Sequence, residues 1–436
     1  MFDRHRRDLM AQMKDSVAVF FAAPEAIRNN DVHFEYRQDS DFFHLTGFEE
    51  PEAVLVLTPH RERGDQSHLF LRKRDPEREV WDGKRVGVEA APQVLGIDKA
   101  LPIDELANKL PELLVGAGRI YFSLGQHPEH DALMLTALRS ARRFRKKGDD
   151  TPADILDPAA LLHEQRLLKD PNGIEQMRTA ARLTSKGHRL AMAVTRPGLF
   201  EYQVQSAMEY SWRVQGSRRE AYPSIVGSGP NACTLHYRDN NRRMEAGDLV
   251  LVDAGCEFGY YASDVTRTWP VNGRFSPAQR AVYEVVLNAQ LAAIAYCRAG
   301  YTFEAVHHQA LRVLTEGMIT LGLIEGPVEE RIKDEGFKRY YMHRTSHWLG
   351  MDVHDVGRYY LRGTSRALEP GMVLTIEPGI YIAPDDEKAP AALRGIGIRI
   401  EDDVLVTQGD PEVLTADAPK SIEDIEALVG TADLPR

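Results

Sequence analysis

Apolar and polar positions alternate differently in the two halves of the chain. AVLVLTP (53–59) and HLFLRKR (68–74) are short apolar runs of strand length, and DALMLTALRSARRFRKK (131–147) is a helix-length stretch. An α/β domain is predicted for this part. The polar, proline-containing KKGDDTPADILDP (146–158) follows it. Asp170-Pro171 then reads as a helix start, because Asp can cap and Pro suits the first turn; Ile174, Met177, Ala181, Leu190 and Met192 form an apolar pattern beyond. The boundary is placed near residue 165, giving domains 1–165 and 166–436. Downstream, helices expected at about 171–195, 201–216, 277–298 and 302–322 come in pairs around strand runs at 249–253, 261–269, 372–377, 380–383 and 396–407. That pattern predicts an α+β second domain. No solenoid-type repeat interrupts it, and GSGPN (227–231) lacks the spacing of a phosphate or dinucleotide loop, so it reads as a turn.

A length of 436 residues suits two cores rather than one. With 43% hydrophobic and 27% charged residues the composition is that of an ordinary globular protein, and AVFFAA falls far short of the ~20 apolar residues of a membrane span. The net charge of −11 argues against nucleic acid or an anionic membrane as the main partner. The basic run Arg142, Arg143, Arg145, Lys146 and Lys147 has no aromatic stacking platform and reads as a solvated helix end or loop. MFDRHRRDLMAQM leads into no signal-type apolar region, so a cytoplasmic location is expected. Cys233, Cys256 and Cys297 have no CxxC spacing and suggest buried thiols in a reducing compartment.

Candidate chemistry begins in LVLVDAGCEFGYYASDVTRTW. A hairpin centred on Phe258-Gly259 would set Asp253 opposite Asp264, with Cβ atoms roughly 5 Å apart. Two such charges repel by ~3 kcal/mol at an effective dielectric near 20, so one carboxylate must protonate or a cation must sit between them. Two solvated strand-edge aspartates would fit the same spacing, and Gly255 could add a bulge. MHRTSHWLGMDVHDVG holds His343, His347 and His354 within twelve positions, without HExxH; structural histidines are the alternative. Glu377 closes the β-rich VLTIEPGIYI ahead of Pro378, facing an open site or merely capping a turn. In GIGIRIEDDVLV, Ile396, Ile398 and Ile400 share one face, and Gly397, Arg399 and Glu401 the other. That second face is expected to floor a polar site, with a surface Arg/Glu pair as the alternative. Two Asp, one His and two Glu form a carboxylate-rich donor set suited to a pair of divalent ions, Mn²⁺ first, with Co²⁺, Fe²⁺ or Zn²⁺ as substitutes, and hydrolysis is their natural chemistry.

With these residues assembled, the chain resembles the Xaa-Pro aminopeptidases (aminopeptidase P) among the pita-bread metallopeptidases. YRQDSDFFHLTGFEEPEAVLVLTP (36–59) resembles the N-terminal domain of that family. AYPSIVGSGPNACTLHY, VLVDAGCEFGYYASDVTRTWP, SHWLGMDVHDVG, LEPGMVLTIEPGIYI and GIGIRIEDDVLV resemble its catalytic blocks, in order. The resemblance implies a creatinase/aminopeptidase-type catalytic domain in which Asp253 ligates one metal, His347 and Glu377 the other, and Asp264 and Glu401 bridge them. His236, His343, His354 and Arg399 match the catalytic and supporting residues of the family. Arg344 departs from it, since many relatives carry Gly there. The implied substrate is a peptide with proline in second position, attacked at its first peptide bond; prolidase, or a metal-free binding protein on the same fold, is the alternative. A homodimer or homotetramer is also implied, with Trp81 either at the site entrance or in a core.

Overall fold

The computed structural model describes residues 1–435. They form two compact units, Met1–Arg166 and a second from Leu167 onward. The first is built on a six-stranded mixed sheet in the order Lys99–Pro102, Ser67–Leu71, Val54–Leu57, Ser16–Phe21, Arg119–Tyr121, Asp154–Leu156. Successive strand residues point to opposite faces. Ala18, Phe20, Leu55, Leu57 and Leu69 therefore pack with Leu9 and Met13 of helix Phe2–Met13 and with Phe42 and Leu45 of Ser40–Thr46. Val17, Val19, Val54, Val56 and Phe70 meet Leu106 and Leu110 of helix Leu106–Leu113 and Met134 and Leu138 of Pro128–Ala141. Cover on both faces is why these strands read as unbroken apolar runs.

Two details of this unit differ from the sequence reading. The helix expected over 131–147 ends at Ala141, and Arg142–Lys147 tightens into 3₁₀ turns before Gly148. Like charges three and four residues apart in RRFRKK disfavour a further α-helical turn. Trp81, on helix Pro76–Asp82, is 85% exposed, which sets aside its reading as a core residue.

In the second unit, helices Pro171–Val194, Glu201–Arg213, Pro277–Ile294 and Phe303–Thr320 occupy the expected segments. Three start at side-chain caps: Asp170 accepts from Gly173 N at 2.7 Å, Ser276 from Gln279 N at 3.2 Å and Thr302 from Ala305 N at 3.1 Å. Between them lie three-stranded antiparallel sheets: Ile225–Ser228 with Leu249–Asp253 and Thr266–Pro270, Arg219–Glu220 with Cys256–Phe258 and Tyr261–Ala262, and Val373–Ile376 with Asp402–Leu405 and Glu412–Val413. Gly379–Tyr381 pairs with Gly397–Arg399. Val250, Val252, Trp269, Ile396, Ile398 and Ile400 join Met208, Trp212, Val282 and Leu314 in one core. By strand alternation, Asp253, Arg399 and Glu401 then leave the opposite face. GSGPN ends a strand at Ser228 and begins a 3₁₀ turn over Gly229–Cys233. Cys256 and Cys297 are buried free thiols, whereas Cys233 is only half-buried.

The expected hairpin register is wrong. Asp253 pairs with Thr266, Glu257 with Ala262 and Phe258 with Tyr261, so the turn residues are Gly259 and Tyr260. Both have positive φ, 57° and 69°, the backbone that a tight two-residue hairpin requires, and Phe258 is spared it. The offset is two residues, an even number, so Asp264 stays on the face of Asp253 as its diagonal neighbour. Near Gly255 the ladder opens. A Cβ there would lie 1.7 Å from Ser263 O, and Asp264 N donates to Asp403 Oδ1 at 3.0 Å instead of to the partner strand.

Candidate active site

The polar face gathers the predicted residues from four separate segments. Asp253, at the end of the central strand, accepts from Tyr222 Oη at 2.6 Å and from Arg399 Nη2 at 2.6 Å. The same Tyr222 hydroxyl touches Asp264. Asp264 Oδ2 lies 3.3 Å from His347 Nε2, and Glu377 Oε1 lies 3.5 Å from the same nitrogen. Glu401 accepts from Thr266 Oγ1 at 2.6 Å, while its backbone is tied to Thr266 O and Arg267 Nη1. The donor atoms of Asp264, His347 and Glu401 lie within 4.8 Å of one another. Gly397 lets the floor strand close: a Cβ there would be 2.2 Å from Ala232 O.

Each histidine is prepared differently. His347 Nδ1 lies 3.0 Å from Trp348 O, so with its proton held there the ring would present Nε2, which faces Asp264 and Glu377, as a ligand once cations take the place of protons. His343 Nδ1 points to Arg344 O at 2.8 Å, and its Nε2 meets the Tyr381 hydroxyl at 2.9 Å, itself a partner of Arg399 Nη1 at 2.8 Å. Burial, with Arg399 nearby, pushes His343 down to about 3, so it is a fixed neutral ring. The His354 ring stands at 79° to that of His347, with centroids 4.5 Å apart. Its turn is anchored by Lys169 Nζ, 2.9 Å from Asp355 Oδ2, an ion pair whose side chains are both 1% exposed. His236 lines a cavity of about 640 Å³ together with Asp253, His343, His347, His354, Glu377 and Arg399. Asp264 and Glu401 are buried at 5% and 2% exposure and do not line it.

Sequence reasoning missed Tyr222, Tyr381, Thr266, Asp403 and the Lys169–Asp355 pair. Only Asp403 carried a local signal, as the third acid of the run Glu401-Asp402-Asp403.

Negative charge is in excess here. Burial, with Asp264 close by, pushes Glu377 up to about 7 and Glu401 well above the carboxylate range. Burial also raises Asp253, against the pull of Arg399. Burial opposes ionisation of Asp264 as well, yet its hydrogen bond to His347 keeps it below its usual value. Burial alone would lower His347, but Asp264 and Glu377 lift it to about 9. Four carboxylates and one imidazole on one polar face, three of them with donor atoms within 4.8 Å of one another, fit hard or borderline divalent ions and not a thiolate zinc site. Asp253, Asp264, His347, Glu377 and Glu401 are the residues that would hold them.

These shifts carry a consequence for the metal-free protein, which should lose stability as pH rises from 6.5 to 9. His347 has a folded value of about 9, above its ordinary 6.5, so its contribution is complete below 6.5 and lost through 9. The share from Glu377, raised from 4.5 to about 7, is lost earlier, by about pH 7. His307 and His343, lowered to about 4 and 3, act in the opposite sense but only below 6.5. Metal-loaded protein should not show the loss, because bound cations replace the protons. Thermal melts of chelated and loaded protein at pH 6.5 and 9 check this; parallel changes in Tm would contradict it.

The fold and site define a class. A model of metallopeptidase family M24 matches residues 175–408, and a model of the aminopeptidase P N-terminal domain matches residues 2–121. The chain belongs to the metallopeptidase family M24, with its pita-bread catalytic fold, and is a hydrolase that uses divalent metal. Within that family it belongs with aminopeptidase P. It is 45% identical over 432 residues to the Xaa-Pro aminopeptidase of Escherichia coli (strain K12), covering 99% of this chain and 98% of that one. The structure of Pseudomonas aeruginosa aminopeptidase PepP superposes with a TM-score of 0.96 at 50% identity, covering 98% and 97% of the two chains. Zn-substituted E. coli aminopeptidase P in complex with product superposes with a TM-score of 0.94 at 45% identity, with the same coverage.

Proposed function

We propose that the chain removes the N-terminal residue from peptides whose second residue is proline, using two divalent ions, Mn²⁺ by preference, held by Asp253, Asp264, His347, Glu377 and Glu401. The observation that carries this reading is the convergence of those donors on one polar face beside a cavity, in a chain similar along its whole length to Xaa-Pro aminopeptidases. Such ions supply Lewis-acid polarisation and activation of water near neutral pH. The protein does the rest. Arg399 and Tyr222 orient Asp253, and Thr266 and Arg267 orient Glu401. Glu377 carries a proton between the reacting centre and the leaving amine, and its place in the cavity lining beside His347 supports that role. His354 and His236 line the cavity and donate to the developing oxyanion. His343, neutral and held at both nitrogens, keeps the wall in shape.

The chain further acts as a dimer or tetramer in the cytoplasm. Support for self-association comes from its first unit, which exposes Val80 at 81% and Trp81 at 85%, apolar surface of the kind that interfaces cover. Among the described residues, no helix is long and apolar enough to cross a membrane.

Prolidase is the nearest alternative, and peptide length separates the two. Xaa-Pro peptides extended by several residues should be cut after the first residue, with kcat/KM at least equal to that for the Xaa-Pro dipeptide. N-acetylated peptides and peptides lacking proline at position two should be cut poorly. Hydrolysis of the dipeptide alone would replace this reading with prolidase.

A further inference from the structure

Away from the carboxylates, the cavity wall is formed by Arg344, Tyr359, Tyr360 and Phe303. Arg344 is the residue at which the chain departs from the family pattern, and the structure gives its side chain a defined setting. Its Nη2 donates to Glu304 Oε2 at 2.5 Å, and Tyr360 Oη donates to the same oxygen at 2.5 Å. Glu304 lies in the first turn of helix Phe303–Thr320, where Thr302 caps the helix. Three chain segments thus meet at one carboxylate oxygen. Burial works against ionisation of Glu304, but Arg344 and Tyr360 hold its carboxyl below the usual range, so the cluster is charged at neutral pH.

The bond to Glu304 is made through Nη2, one of three guanidinium nitrogens. Arg344 has a half-exposed side chain, 50%, and a guanidinium offers five N–H donors in a planar fork that matches a carboxylate. Anchoring by Glu304 restricts the side chain before any ligand arrives, which lowers the ordering cost of binding. Position matters as well. Arg344 precedes the metal-ligating His347 by three residues, so their Cα atoms lie within ~11 Å, about the span of a tripeptide from amine to carboxylate. The acidic, metal-holding end of the cavity suits the substrate amine, and the cationic rim suits a negative charge further along the peptide.

We propose that Arg344, oriented by Glu304 and Tyr360, binds a carboxylate on the residue that follows the proline. That carboxylate is either the C-terminus of a tripeptide or the side chain of Asp or Glu at position three. The inference rests on the aminopeptidase reading and names the downstream specificity of the same site.

Three substrates test it with metal-loaded enzyme: Xaa-Pro-Ala as the free acid, Xaa-Pro-Ala amide, and Xaa-Pro-Asp amide. At least one carboxylate-bearing peptide should exceed Xaa-Pro-Ala amide in kcat/KM by about tenfold, the scale of one charge-assisted hydrogen bond at a half-exposed site. Which of them does so identifies the source of the carboxylate. In Arg344→Met that ratio should collapse towards one. In Glu304→Gln it should fall part of the way, because the charged anchor that orients the guanidinium is lost; this variant decides the matter if Arg344→Met is inactive on every substrate. Ratios within twofold of one in the unsubstituted enzyme, or a preference kept in Arg344→Met or unchanged in Glu304→Gln, would overturn the subsite. Failure to cut any of the three after the first residue would instead overturn the aminopeptidase reading, and the subsite with it.

Discussion

Asp264→Ala and Glu401→Ala should each lower kcat on an Xaa-Pro peptide by on the order of 10³-fold or more, equivalent to ~4 kcal/mol of transition-state stabilisation. Asp264 sits between Tyr222 and His347, and Glu401 shares a 4.8 Å cluster with both Asp264 and His347. Removing either takes a donor from the centre of the set. His354→Ala should behave differently. Its ring lies against His347 without joining the three-donor cluster, so metal content should be retained while kcat falls by on the order of 10²-fold, the cost of one oxyanion donor. Steady-state kinetics with elemental analysis on each variant separates the roles. A His354→Ala protein stripped of metal, or an Asp264→Ala protein with near-normal kcat, would contradict the assignment; Asp264→Asn, close in shape, guards against a folding defect.

Prolonged chelation should abolish activity, and about two equivalents of Mn²⁺ per chain should restore it. The charge balance of the site supports this. Among the described residues, the buried guanidinium bonded directly to a ligand carboxylate is that of Arg399, and the carboxylate is that of Asp253. Burial leaves Glu377 and Glu401 raised, so without cations part of the set carries protons instead of charge and is unfit to ligate. Titrating stripped protein with Mn²⁺ while following rate should give a break near two equivalents. Full activity in protein shown to contain no transition metal would sink the site model.

How much of this could be read in the sequence follows from the range of each interaction. The alternation of Ile396, Ile398 and Ile400 with Gly397, Arg399 and Glu401 is local, and strand geometry turns it directly into a core face and a site face. Helix starts at Asp170 and Pro171 are equally local. The hairpin failed by two residues because the turn depends on Tyr260 accepting a positive φ, a cost met only in the folded context. Tyr222 reaches Asp253 across 31 positions, and Lys169 reaches Asp355 across 186; no spacing rule joins them. The residues alone suggested a carboxylate-rich donor set, each member with an ordinary structural alternative, and likeness to a family then assigned which histidine joins it and which role each member has. His236 lies 111 positions from His347 in the chain, and only the fold brings both to one cavity.

The most direct test of the account is product analysis by mass spectrometry on one extended Xaa-Pro peptide, offered to the same protein before and after metal removal and again after reloading with Mn²⁺. The loaded protein should release the free first residue and the peptide beginning with proline, and nothing else, with no product from the stripped protein. Cleavage at any other bond, or equal release by stripped and loaded protein, would contradict a metal-dependent Xaa-Pro aminopeptidase.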